Sequence, residues 1–136
     1  MSTAVIQGGC LCGAIRYQAN GQPSSSMVCH CRTCRQAAGA PLVAWLTFPA
    51  ENFSFVQGQP TEFHSSTPVT RTFCSFCGTP LTYVHTERPE EIDVTTSTLD
   101  DPEVFPPSHH AWVSHSLSWL HVNDGLPTYS RTSKEG

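Results

Sequence analysis

Two short cysteine motifs more than sixty residues apart place the tightest limit on how this chain folds. Cys10-Leu11-Cys12-Gly13 and Cys74-Ser75-Phe76-Cys77-Gly78 both end in Cys-Gly. A glycine after the second cysteine has no Cβ, so the backbone can curl around a metal and aim its N–H groups at sulfur. Together the two pairs supply four thiolates, enough to close a tetrahedral zinc site. A single ion there would draw two distant segments together, and its binding energy would contribute directly to folding.

The other three cysteines, Cys29, Cys31 and Cys34, lie within Cys29-His30-Cys31-Arg32-Thr33-Cys34, with no obvious fourth ligand beside them. Closed four-ligand zinc sites are structural, whereas catalytic sites keep a position for water or substrate. The partition therefore predicts two Zn2+ per chain: a structural ion on Cys10, Cys12, Cys74 and Cys77, and a catalytic one on Cys29, Cys31 and Cys34. Seven cysteines cannot all pair as intramolecular disulfides. The opening MSTAVIQGG lacks the basic start and apolar core of a secretory leader. A reducing, cytoplasmic setting is expected, where dense cysteine clusters are more often metal-bound than oxidised.

At 136 residues the chain is expected to form a single domain over 1–136. Asp, Glu, Lys and Arg make up only 13% of it, against roughly 25% in ordinary soluble domains, so Ser, Thr, Pro and Gly carry much of the surface. The longest stretch without a strongly polar interruption, Pro41 to Phe48, is far short of the roughly twenty residues that span a bilayer, so no membrane association is expected. The formal charge of −4 becomes more negative if seven thiolates surround two divalent ions, and the seven Lys and Arg are scattered. Nucleic acid, which calls for a basic face, is not an expected partner.

Alternating or β-branched and aromatic runs predict strands over Thr3–Gln7, Ala14–Gln18, Leu42–Phe48, Asn52–Val56, Val69–Phe73, Leu81–His85 and Ile92–Thr96, divided by Gly-, Pro- and Ser-rich breaks. One helical turn or two is expected from Arg32 to Ala38. Pro106 to Tyr129 reads as irregular chain with a strand or two. The expected class is all-β, and Phe48, Phe53, Phe55, Phe73, Trp112 and Trp119 are the expected core.

Three blocks carry a family resemblance: Gly8 to Tyr17, Cys29 to Ala40, and Arg71 to Leu81, with His110-Ala111-Trp112-Val113, Trp119 and Asp124 to Tyr129 at the end. They resemble the signature blocks of the glutathione-dependent formaldehyde-activating enzyme family, also called the centromere-protein-V-type domain. The resemblance implies an all-β tent of several coiled antiparallel sheets stapled by zinc, with the same division of the seven cysteines between two ions. It also implies a carbon–sulfur lyase-type reaction in which glutathione and formaldehyde give S-(hydroxymethyl)glutathione.

Within that frame the partners are a small-molecule thiol such as glutathione and a small electrophile. A thiol entering the open position would be deprotonated by the metal. Arg32 and Arg35, flanking Cys34, are the candidates for holding a substrate carboxylate, while Arg71 lies just before the structural pair. His109 and His110 are candidates for a proton shuttle or a fourth ligand, while His30, lodged between two ligands, is expected to point elsewhere. Other thiol and electrophile chemistry on the same scaffold, or a non-catalytic zinc module for interaction or metal buffering, are the alternatives.

Overall fold

Residues 5–133 are described by the computed structural model of the chain. Their β-prone runs form ten strands: β1 Val5–Gly9, β2 Arg16–Asn20, β3 Ser25–Cys29, β4 Val43–Pro49, β5 Phe53–Gln57, β6 Thr61–Ser66, β7 Val69–Phe73, β8 Pro80–His85, β9 Glu91–Thr95 and β10 His109–Ala111. A helix, α1, occupies Arg32–Ala38 as the sequence predicts. Seven strands coincide with the expected runs to within a residue or two; Thr3 and Ala4 of the first run lie outside the described residues. β3 and β6 were hidden for different reasons. Ser25 and Ser26 give β3 a polar appearance, yet the Ser26 hydroxyl donates to the backbone carbonyls of Phe105 and Pro106. Every residue of β6 is exposed, so it has no buried face to produce alternation.

The strands form two sheets, one ordered β1-β2-β5 and one ordered β10-β3-β4-β9-β8-β7-β6. All pairings are antiparallel except that of β10 with β3. This one departure from the antiparallel expectation follows from connectivity. β10 is reached after a long excursion from β9 instead of through a hairpin, and a parallel partner requires such a crossover.

Period-two alternation gives the large sheet two different faces. Along β4, Leu46 and Phe48 are fully buried and join Val94 of β9, Leu81 of β8 and the small sheet's Tyr17 and Ala19 in one core. Trp45 and Thr47, which alternate with them, belong to the opposite face. Register then builds a row across six strands on that face: Ser25, Thr47, Asp93, Tyr83, Arg71 and Phe63 are successive cross-strand partners. A shorter row alongside it runs His109, Met27, Trp45 and Thr95.

The small helix lies against this face. Seven residues are too few for a stable helix in isolation, and α1 is held by tertiary contacts and caps. Cys31 Sγ caps its start by accepting from the Cys34 N–H, and Gly39, at φ 64°, closes its end by donating to the Arg35 carbonyl. Buried Cys34 packs with Cys29, Val43 and Trp45 into a second, smaller core. Three expected core aromatics lie elsewhere: Trp119 is 67% exposed, Phe73 is half-buried and belongs to neither core, and Trp112 is half-buried at the edge of the second core.

Core and edge respond differently to truncation. Phe48→Ala should cost about 3–5 kcal/mol through lost burial and a residual cavity. Phe63→Ser, on the exposed edge strand, should stay within about 0.5 kcal/mol of the parent. Urea unfolding of the two variants checks the contrast.

Candidate active site and metal centres

The two Cys-Gly motifs fold into matching knuckles at the ends of separate sheets. In the first, the Cys10 N–H donates to Ile15 O and the Gly13 N–H to Cys10 O; in the second, the Cys74 N–H donates to Thr79 O and the Gly78 N–H to Cys74 O. Gly13 and Gly78 take φ values of 83° and 81°, the left-handed region where a side chain would be strained. The Leu11 N–H donates to the Thr79 hydroxyl across the junction.

These turns bring the sulfurs of Cys10, Cys12, Cys74 and Cys77 within 4.8 Å of one another. Cys10 and Cys12 are 3.6 Å apart, and Cys12 and Cys74 are 3.7 Å apart. A tetrahedron of sulfurs about 2.3 Å from zinc has edges of about 3.8 Å, so the donor set fits that ion in number, element and spacing. N–H groups already face the sulfurs: Ile15 donates to Cys10 Sγ. The Thr79 hydroxyl, with the backbone N–H groups of Thr79 and Cys12, holds the Cys77 thiol down to about 5.

Cys29, Cys31 and Cys34 form the second group, also within 4.8 Å, with Cys29 and Cys34 sulfurs 3.7 Å apart. Cys29 ends β3, Cys31 caps α1 and Cys34 lies one turn into it. The Cys29 and Cys34 thiols both support charge on Cys31, whose pKa is strongly depressed; the same contacts and burial push Cys29 strongly upward. Three sulfurs fit a metal with a position left open.

The sequence candidates around the trio disperse. Arg35 donates from Nε to His30 O and from Nη2 to His115 O, and Arg32 is exposed. Neither lines the two cavities that flank the cluster. His30 does point elsewhere, toward buried His110: His30 Nε2 and His110 Nδ1 are 2.9 Å apart, and His110 Nε2 lies 2.7 Å from an Asp124 carboxylate oxygen. If His110 donates to Asp124, His30 Nε2 donates in turn, leaving the partnerless His30 Nδ1 as a bare acceptor. Burial, then His110 and Arg35, holds His30 below the usual histidine range. His110 thus serves to tie the Cys29–Cys31 bend to the C-terminal segment.

His109 faces the other way, into a cavity of about 320 Å³ beside the trio. Its Nδ1 meets the Ser108 hydroxyl at 2.9 Å, and that hydroxyl donates to Ser26 O. Ser108 therefore accepts from Nδ1–H, leaving Nε2 as the free base. Burial and His110 hold His109 below the ordinary histidine pKa, so the ring is neutral at pH 7. Met27, Trp45, Tyr83 and Trp112 give the cavity apolar walls, and Arg88, Glu91 and Asp93 put both signs of charge on its polar side. Trp112 is the only non-glycine residue with positive φ among those described, a strained conformation of the kind that gathers at working sites.

Residues 5–115 match the family described as glutathione-dependent formaldehyde-activating enzyme. The chain belongs to that family. It is 32% identical over 80 residues to an "Uncharacterized lyase" of Schizosaccharomyces pombe, a match covering 59% of this chain and 58% of that protein. The matched part thus falls short of two thirds of the yeast relative's length. A Halomonas elongata relative bearing the formaldehyde-activating family's name is 26% identical over 129 residues, 87% of this chain and 81% of its own. A Rhodobacter sphaeroides protein of known crystal structure shares the fold, with a TM-score of 0.60 and 22% identity over 74% of this chain and 97% of its own. Among the described residues no helix is long and apolar enough to cross a membrane.

Sequence reasoning passed over Trp45, Tyr83, Arg88 and Asp93. Asp93 left one readable signal, a carboxylate between Ile92 and Val94 in a strand. Burial raises its pKa, and the Thr47 hydroxyl, donating to it at 2.6 Å, only partly offsets this. A raised folded-state value means stability that is full below the unfolded pKa of about 3.9 and declines as pH rises through the folded value. Asp93→Asn should therefore melt higher than the parent at pH 7 and converge with it below about pH 4, as thermal scans at both pH values will test.

Proposed function

We propose that the chain is a zinc-dependent carbon–sulfur lyase-type enzyme that joins a small thiol to a carbonyl carbon, with glutathione and formaldehyde as the leading pair. The observation that carries this reading is the three-sulfur cluster opening onto a cavity with a neutral histidine on its wall. Zinc held by Cys29, Cys31 and Cys34 would supply an open coordination position that favours the thiolate form of an entering thiol. The second ion, on Cys10, Cys12, Cys74 and Cys77, would be structural.

The remaining steps fall to the chain's own residues. Met27, Trp45 and Trp112 shield the sulfur from water, which strengthens every electrostatic contact inside. Arg88, paired with Glu91 at 3.6 Å, would turn to a substrate carboxylate and leave Glu91 and Asp93 to an ammonium, matching the zwitterionic head of a γ-glutamyl thiol. This answers the repulsion between a three-thiolate cluster and an acidic thiol with residues that line the cavity. His109 Nε2 takes the thiol proton and returns it to the carbonyl oxygen as the carbon–sulfur bond forms.

Two measurements test the reading. Exchange NMR of a formaldehyde and glutathione mixture should show zinc-loaded protein accelerating adduct formation over the uncatalysed background, with the acceleration lost in Cys31→Ser. Equal rates with and without protein would reject the pair. Cys12→Ser and Cys31→Ser should each lose one equivalent of zinc by metal analysis, but only Cys12→Ser should lower the melting temperature sharply, because its ion joins the two sheets. Equal losses would reject the structural and catalytic split.

A further inference from the structure

A second and larger cavity, of about 630 Å³, opens on the other side of the three-cysteine cluster and meets the first at Thr33, Cys34 and Trp45. Its character is different. Phe63, Phe73, Val43, Ala37 and Pro80 give it broad apolar walls, and one charged side chain, Arg71, lines it. Formaldehyde is little larger than a water molecule, whose share of liquid volume is about 30 Å³, and would leave this space unfilled.

Arg71 is built into the floor. It pairs across strands with Tyr83 on one side and Phe63 on the other. Its guanidinium sits 5.0 Å from the centroid of the Tyr83 ring, and its Nε donates to the Ser65 hydroxyl at 3.1 Å. No carboxylate pairs with it among the described residues, and both terminal nitrogens are left to face a ligand. A planar guanidinium fixed by stacking and one hydrogen bond, with its fork unused, is prepared for a bidentate carboxylate. The first cavity offers both charges and so suits a zwitterion; this one offers a single cation and apolar walls.

We propose that the second cavity binds an organic carboxylate with an apolar body, its carboxylate on Arg71 and its body against Phe63 and Phe73, and that this molecule serves as an electrophile alternative to formaldehyde. Such an electrophile is a carbonyl compound larger than formaldehyde, an aldehyde or oxo group on an aryl or alkyl acid. Its assignment as electrophile rests on the thiol reading of the cluster; the carboxylate site does not. In the reaction the thiol adds across the carbonyl: a carbon–sulfur bond forms, the carbon–oxygen π bond breaks, and the thiol proton ends on oxygen. Nothing is oxidised or reduced.

The test separates binding from chemistry. In isothermal titration of the zinc-loaded protein, 3-phenylpropanoate should bind about tenfold or more tightly than 3-phenylpropanamide, the size of effect expected of a charge-assisted pair. Arg71→Gln should abolish that preference, and Phe63→Ser, on an exposed edge strand, should weaken both probes while leaving the fold intact. Equal affinities for acid and amide, or an unchanged preference in Arg71→Gln, would overturn the site. In exchange NMR with glutathione, 4-formylbenzoate should be accelerated over its background more than benzaldehyde, and Arg71→Gln should equalise them. An intact carboxylate preference with no such selection would overturn the assignment as electrophile. Accelerated formaldehyde exchange in a protein that ignores 3-phenylpropanoate would reject the carboxylate site and leave the thiol reading standing.

Discussion

The approach of four sulfurs from two sheets is the contact on which the rest of this molecule depends. Cys10 and Cys12 leave the end of β1, Cys74 and Cys77 leave the end of β7, and their meeting fixes the small sheet over the large one. Cys10 and Cys74 are themselves buried in the core between the sheets. The junction thereby seats Leu46, Phe48, Leu81 and Val94 against Tyr17 and Ala19. That seating commits one face of the large sheet to the core and turns the other face toward the working chemistry.

From there the cross-strand register does the placing. Because alternate residues of a strand point to opposite faces, burying Leu46 and Phe48 presents Trp45 and Thr47, and burying Val94 presents Asp93. The six-strand row from Ser25 to Phe63 grades from hydroxyls through a carboxylate, a phenol and a guanidinium to an exposed phenyl ring. One row thus floors two cavities of unlike polarity, and the three-cysteine cluster stands where they meet. Asp93 illustrates the tension between stability and function: a half-buried carboxylate costs folding energy at neutral pH, yet it is the group suited to an ammonium.

The two cysteine groups were legible because residues of ligand type announce themselves by identity and local spacing. Cys29, Cys31 and Cys34 are close in sequence, so a single bend and one helical turn unite them, and the knuckle glycines mark turns that need positive φ. The arginines could not be read in this way. Arg32 and Arg35 are neighbours of the cluster along the chain, but Arg35 is spent on the carbonyls of His30 and His115. Arg71 and Arg88 reach the cavities only because β7 and the β8–β9 connection fold back across the sheet. His109 and His110 were likewise indistinguishable as a dipeptide; strand alternation sends one to the cavity and the other to Asp124.

The sequence by itself determined the all-β class, most of the strands, the helix at Arg32–Ala38 and the division of seven cysteines into four and three, since each of these rests on local periodicity, turn chemistry or ligand spacing. Only the tertiary structure decided the parallel placement of β10, the hidden strands β3 and β6, and which charged side chains surround the cluster. Those outcomes depend on long-range pairing: a residue's face and neighbours are set by the strand it lies against, and no local pattern in the chain encodes that partner.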